Sequence, residues 1–482
     1  MSEPKRLHPI SAVINLVKSL KDALLPILVV FFLNGNILSG EIEWIPLLIW
    51  AGVLLLILVA GIVKWLRFSY RLEEGELRIE YGLFFRKKRY IPFERIQSLD
   101  FSEGIFHRPF QLVKVSVETA GSTDNQKAEG ELTAIKLTEA KELEALILRE
   151  KNNKFESEDT EDVEPQETSR KKVFEMNMKD IVLMAVTSGG AGVVISGVGV
   201  FFSQIMEALP IGAIYGRILD WIQIGVLIVA FTALVVLLIA YAISILLTIF
   251  RYANFTVLLD NEDLIITRGW LEKKQMTIPL NRIQGLRMDE NLIRQPFGYA
   301  SVTLISAGGG LQNDSDQQLR VLPFIKKREI QHVLKNIMDD YDLEVNWNRP
   351  PKKAKPRYMM RHSWFAWLAV IPLSIFFFPF GLLSIFGALA FTGIGLLAFH
   401  DAGWEVKDQQ LTLRSRSIIK QTYVMKKYRI QAASLSQTIL QKRVNLESVK
   451  VTLKSGVGGA VAQCLYLDEK EARKILGWYR PD

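Results

Sequence analysis

Apolar positions along the chain fall into two textures. Long stretches without a charge alternate with segments in which hydrophobic and polar residues take turns. A bilayer core of about 30 Å needs roughly 20 apolar residues in a helix. Trp44–Val63, Ile181–Met206 and Trp221–Ile249 meet that need. Ser363–Phe399 is interrupted by Pro372 and by Pro379-Phe380-Gly381, which predicts two short spans with a tight turn. Ala23–Gly40, apolar as far as Leu33 and carrying Pro26, would complete the first pair. The pattern therefore predicts six transmembrane helices in three hairpins, at 23–66, 181–250 and 363–400. Within 1–22, Leu7, Ile10, Val13, Ile14, Val17 and Leu20 recur at helical spacing beside Lys18 and Lys21, an amphipathic segment suited to the membrane interface.

The polar segments 67–150, 251–340 and 401–482 read as short strands. Glu76–Tyr81, Asp263–Arg268 and Gln410–Arg414 alternate in polarity, and each follows a turn signal (Glu74-Gly75, Asn261-Glu262 and Lys407-Asp408). Arg-Ile-Gln stands at Arg95-Ile96-Gln97, Arg282-Ile283-Gln284 and Arg429-Ile430-Gln431. Its surroundings recur at the same offsets. Gly82–Lys87 aligns with Gly269–Lys274, Ile91-Pro92 with Ile278-Pro279, Pro109-Phe110 with Pro296-Phe297, and Ala120-Gly121 with Ala307-Gly308. Helical patterns close the copies at Thr138–Arg149, Ile325–Met338 and Asp468–Trp478. The chain is thus three tandem units, each a membrane hairpin followed by an antiparallel β-barrel or sandwich capped by a C-terminal helix, an α+β membrane protein. The third copy departs, with Lys427-Tyr428 before its arginine and Arg443-Val444 where Pro-Phe is expected.

These residues resemble those of the bacterial membrane proteins that carry pleckstrin-homology-like (PH-like) domains of the second bacterial type, in their three-domain, YdbT-like group. The resemblance covers nearly the whole chain. It implies a seven-stranded, partly open barrel per copy. It also implies a partner membrane protein with a single such domain, and a link to resistance against membrane-active bacteriocins.

Charge sets the expected orientation. The loop Asn34–Glu43 and the turn at Pro379–Gly381 contain no Lys or Arg, and Glu207–Asp220 contains only Arg217. The remaining basic residues place both termini and all three β segments on the cytoplasmic side of the cell membrane. Between Glu156 and Glu167, within the linker 151–180, an acidic run predicts a disordered tether. The basic, proline-rich Asn348–Arg357 lies in the linker 341–362 and suits either topology or anionic lipid.

Little in the sequence carries chemistry. His8, His107, His332, His362 and His400 stand in no metal or catalytic pattern, and Gly308–Gly310 is followed by no Lys-Ser/Thr. The net charge of +8 suits an anionic membrane surface, and with such apolar runs no nucleic-acid role is expected. No enzyme activity and no cofactor are expected. The candidate headgroup contacts are hairpin tips with apolar residues beside cations: Leu83, Phe84, Phe85, Arg86, Lys87, Lys88 and Arg89; Trp270, Leu271, Lys273 and Lys274; and Lys420, Lys426 and Lys427 beside Ile418-Ile419. The alternative for such tips is an ordinary solvated turn. Arg95, Gln97, Arg282, Gln284, Arg429 and Gln431 serve either the fold or a partner. The function these features predict is a scaffold for a membrane complex on an anionic inner leaflet. A lipid or small-molecule translocator built from the six spans is the alternative.

Overall fold

The computed structural model describes residues 4–17, 19–20, 44–83, 85–119, 130–153, 170–188, 226–307, 319–376, 378, 380–455 and 459–480. Helix α1 (Trp44–Leu66) leads into strands β1 (Ser69–Glu73), β2 (Glu76–Tyr81), β3 (Lys87–Pro92), β4 (Ile96–Glu103), β5 (Leu112–Thr119) and β6 (Gly130–Lys136), closed by α2 (Leu137–Asn153). The second unit contains β7 (Lys171–Glu175), α3 (Met178–Thr187), α4 (Val226–Tyr252), β8 (Thr256–Asp260), β9 (Asp263–Arg268), β10 (Lys273–Pro279), β11 (Ile283–Glu290), β12 (Tyr299–Ser306), β13 (Leu319–Lys326) and α5 (Lys327–Lys335). The third runs through α6 (Lys355–Phe376), α7 (Ser384–Asp401), β14 (Gly403–Lys407), β15 (Gln410–Arg416), β16 (Lys420–Lys426), β17 (Ile430–Ser436), α8 (Ile439–Lys442), β18 (Leu446–Leu453), β19 (Ala460–Asp468) and α9 (Glu469–Tyr479).

Six transmembrane helices in three hairpins are not what the structure shows. Among the described residues, two helices have a stretch long and apolar enough to cross a bilayer, Val235–Tyr252 and Gly381–Asp401, and Gly52–Leu66 is a shorter apolar stretch. Two physical reasons account for the difference. Helix α3 is only ten residues long, and its Ile181 and Met184 are buried in the core of the second β unit rather than offered to lipid. Helix α6 opens with Lys355, Arg357 and Arg361, and its apolar remainder carries Pro372. The Ala23–Gly40 span, residues 189–206 of the Ile181–Met206 span and 221–225 of Trp221–Ile249, the loops Asn34–Glu43 and Glu207–Asp220, the acidic run Glu156–Glu167, Ala120-Gly121 and Gly308–Gly310 lie outside the described residues.

The β units also differ from three separate barrels. Among the described residues their strands form four sheets, in the orders β1-β2-β3, β6-β5-β4-β10-β9-β8-β7, β13-β12-β11-β16-β15-β14 and β17-β18-β19. The last three strands of the first unit thus join the first four of the second, and the last three of the second join the first three of the third. Each unit nevertheless keeps its own core, centred on residues such as Leu77 and Val115 in the first, Leu264 and Val302 in the second, and Leu413 and Val451 in the third. Val424 of the third unit is buried in the second core and Ile305 of the second in the third, so the seam is packed as well as hydrogen-bonded.

In each unit a segment ahead of the apolar helices returns to pair with the strand after them. Lys5 and Tyr70 exchange backbone hydrogen bonds of 2.8 and 2.9 Å, β7 sets Phe174 opposite Val257, and Asn348 exchanges bonds of 3.0 Å with Trp404. The chain is therefore clamped to its β unit on both sides of the apolar helices. The predicted N-terminal helix is present over residues 10–17, with Val13 and Val17 exposed.

Candidate membrane-facing tips and the seams between modules

In each module the turn leading into the strand before Arg-Ile-Gln (β2–β3, β9–β10 and β15–β16) lies beside the end of the preceding apolar helix. In the first, Gly82 has φ +137° and a Cβ there would sit 1.9 Å from the Phe85 carbonyl oxygen, so the turn requires glycine. Arg67, just after α1, donates from Nη1 to the Leu83 carbonyl at 2.5 Å. Phe85 is 83% exposed, and Phe84 lies outside the described residues. Arg86 and Lys88 both pair with Glu80, the lysine at 3.6 Å; Lys87 is exposed, and Arg89 lies over the Tyr81 ring at 5.9 Å.

The second tip repeats this geometry. Gly269 has φ +103° and the same close approach, 2.0 Å, to the Glu272 carbonyl. The Trp270 backbone N–H donates to the Phe250 carbonyl at 2.9 Å, and the two rings stack at 5.4 Å. Phe250 belongs to the last turn of α4, so Trp270, 53% exposed, stands where that helix leaves the apolar stretch. An indole at such a border suits both apolar and wet surroundings. Leu271 is half-buried, Lys273 is exposed, and Lys274 lies 3.7 Å from Glu272.

The third turn is shorter. Arg416 is paired with Lys420, whereas the strands of the other two tips close on Arg268 with Lys274 and on Tyr81 with Lys87. Ile418 and Ile419 are exposed at its apex. Arg416 holds Asp401, the last residue of α7, at 2.5 Å, and also donates to Gln295 of the second module. Lys420 is buried. Its Nζ lies 2.7 Å from Glu290 and 3.9 Å from Asp401, joining two modules. Burial lowers the Lys420 pKa despite the pair. Lys426 and Lys427 sit at the far end of β16, roughly 20 Å from the apex at about 3.3 Å per residue. There Lys426 donates to the Asp340 carbonyl beside Tyr341, and Lys427 lies 5.8 Å from the Trp478 ring. The structure thus brings the first two sets together at helix exits and separates the third into an apolar apex, a seam lysine and a distal pair.

The Arg-Ile-Gln motif marks the corner between the two sheets of a module. A single 3-10 turn ends on each arginine (Phe93–Arg95, Leu280–Arg282 and Lys427–Arg429), and the following isoleucine is buried. The pairing register then shifts between Ile96 and Ser98, Ile283 and Gly285, and Ile430 and Ala432. Each glutamine is therefore the extra residue of a β-bulge, a device that bends and twists a strand. Gln284 donates to the Arg282 carbonyl at 2.9 Å, and burial lowers the Arg282 pKa. Arg95 is exposed, Arg429 lies 5.2 Å from the Tyr428 ring, and Gln431 is exposed; the Gln97 side chain lies outside the described residues.

The seams hold polar residues that sequence reasoning missed. Asp100 is buried where β4 meets β10, and burial together with the Glu118 carboxylate pushes it well above the usual carboxylate range. Asp289 pairs with Arg287 at 3.0 Å and accepts from Gln421 across the second seam at 3.2 Å. The signal was present: Glu103 and Glu290 hold one repeat position, as Lys273 and Lys420 hold another. Among the described residues no group of His, Cys, Asp and Glu is placed to hold a metal ion.

Three copies of one module, each built on a membrane-proximal helix, match a known domain. The family model described as Bacterial PH domain matches residues 23–151, 210–340 and 365–482. The chain belongs to the bacterial PH domain family. It is also similar to the UPF0699 transmembrane protein YdbT of Bacillus subtilis (strain 168), with 37% identity over 493 aligned positions, covering 99% of this chain and 98% of that protein. It is a YdbT-like membrane protein with three such domains, and the threefold repeat read from Arg-Ile-Gln is the threefold occurrence of this domain.

Proposed function

We propose that this protein is a non-enzymatic scaffold at the cytoplasmic face of the cell membrane, with both termini on that side. It holds three PH-like modules as one continuous β body over an anionic leaflet. The carrying observation is that all three tips are fastened to the exit of the preceding membrane helix, by Arg67–Leu83, Trp270–Phe250 and Arg416–Asp401. On this reading Phe85, Trp270 and the Ile418-Ile419 apex meet the headgroup region, with Arg86, Lys87 and Lys273 beside them. Each basic residue near such a surface is worth about 1 kcal/mol, so the contact is weak per tip and works through the three together. Its partners are anionic lipids and membrane proteins carrying the same kind of module. A role in tolerance of membrane-active peptides is part of the proposal and rests on the family resemblance.

The test places an environment-sensitive probe at Phe85→Cys, Trp270→Cys or Ile419→Cys in full-length protein reconstituted into bilayers. Cys464 is buried and stays unlabelled. A blue-shifted probe in anionic bilayers, reversed by Arg86→Gln with Lys87→Gln in the first tip, is the expected result. Water-like emission at all three positions would overturn the reading. Substrate movement across protein-containing liposomes without a partner would replace it with a translocator.

A further inference from the structure

Both seams use one register. In the first, Lys273 faces Glu103, Lys274 faces Ser102 and Gln275 faces Phe101. In the second, Lys420 faces Glu290, Gln421 faces Asp289 and Thr422 faces Met288. Aligned on Arg-Ile-Gln, these are the same pairs. The strand before Arg-Ile-Gln in one module meets the strand after Arg-Ile-Gln in the module before it, twice: β10 against β4 and β16 against β11.

One strand of each kind is left over. β3 ends the sheet β1-β2-β3 and β17 ends the sheet β17-β18-β19, without a further strand among the described residues. Tyr90 on β3 is 51% exposed, whereas its counterpart Val424 is fully buried. On β17, Ala432, Ser434 and Ser436 are exposed, whereas the first of their counterparts, Gly285, is buried against Val424 and Leu453.

We propose that β17 of one copy pairs antiparallel with β3 of a second copy, joining chains head to tail in the plane of the membrane. The established seams set the register: Ser436 opposite Lys87, and Gln437 opposite Arg86. Three arguments favour a second copy. The chain carries one open edge of each matching kind. The step from module to module keeps every tip at a helix exit, so repeating it leaves the next copy in the same membrane. And the edge chemistries differ: β17 has no charge and no proline to repel a partner strand, while Lys87, Lys88 and Arg89 discourage β3 from pairing with itself. Such a head-to-tail contact is heterologous, so it yields closed rings or open rows. The inference concerns self-association and stands whether or not the tips bind lipid.

Two differently tagged full-length chains test it, one Lys87→Cys and the other Ser436→Cys, co-expressed and mildly oxidised in native membranes. Facing Cα atoms about 4.5–5.5 Å apart lie within the span of a disulfide. A mixed-tag dimer is expected, with neither variant cross-linking alone, and a ladder of multimers when one chain carries both substitutions. Gln437→Glu restores the acid present at Glu103 and Glu290, and should raise the cross-linked fraction about fivefold; Gln437→Lys should lower it by a similar factor, rescued by Arg86→Glu in the other chain. Absence of mixed dimers, self-cross-linking of Ser436→Cys, or its capture of a different protein would each overturn the proposal.

Discussion

Lys420→Met is the substitution that most directly probes the second seam. The Lys420 and Glu290 side chains are only 6% and 9% exposed, and their charged atoms lie 2.7 Å apart. Removing one partner of a buried pair costs about 3–5 kcal/mol, because the other charge stays behind in a poor solvent. Here Glu290 retains Lys327 at 3.3 Å, on a half-exposed side chain, and Asp401 retains Arg416 at 2.5 Å. The low end, about 3 kcal/mol, is therefore expected. With a urea slope near about 1.5 kcal/mol per molar, the midpoint should fall by about 2 M. Cys464 supplies the assay. It is fully buried in the third core, and burial pushes its thiol up to about 12, so it reacts with thiol reagents only when that module opens. Labelling of Cys464 against urea, in detergent-solubilised full-length protein, reads the midpoint. Adding Glu290→Gln to Lys420→Met removes the stranded charge and should recover at least half of the loss. A shift below about 0.5 M for the single variant, or a double variant worse than the single, would refute the stranded-charge reasoning.

Other expectations follow from the same geometry. Asp100 is held protonated above the usual range, so its contribution to stability is present below about pH 4 and is lost as pH rises through its raised pKa. Asp100→Asn, which can still accept the Thr277 backbone hydrogen bond, should raise the melting temperature at about pH 7, with the gain vanishing towards about pH 4. Gly269→Ala forces a Cβ to 2.0 Å from the Glu272 carbonyl oxygen at φ +103°, and should destabilise the second tip by about 1–3 kcal/mol, seen as a lower melting temperature with loss of the Trp270–Phe250 stack in near-ultraviolet circular dichroism. Native protein should resist alkylation of Cys464 at about pH 8 for as long as it stays folded, measured by mass shift on addition of a maleimide.

Local patterns carried much of this molecule. Two-residue alternation located the strands, glycines at 82 and 269 located the tips, and a tripeptide repeated in matching surroundings revealed the three modules, because each of these features reports backbone geometry within a few residues. The same reasoning miscounted the membrane helices. Apolar content cannot distinguish Ile181 and Met184, which fill a soluble core, from residues that face lipid. Lys420 looked like a headgroup contact and is instead a buried link between modules. Arg-Ile-Gln was visible as a repeat, but its meaning, a 3-10 corner followed by a bulge, required coordinates. Which strand borders which was decided by tertiary structure alone. A strand's edge offers the same backbone donors and acceptors to any neighbour, so sequence specifies that an edge exists while only the packing of whole modules selects the strand that covers it.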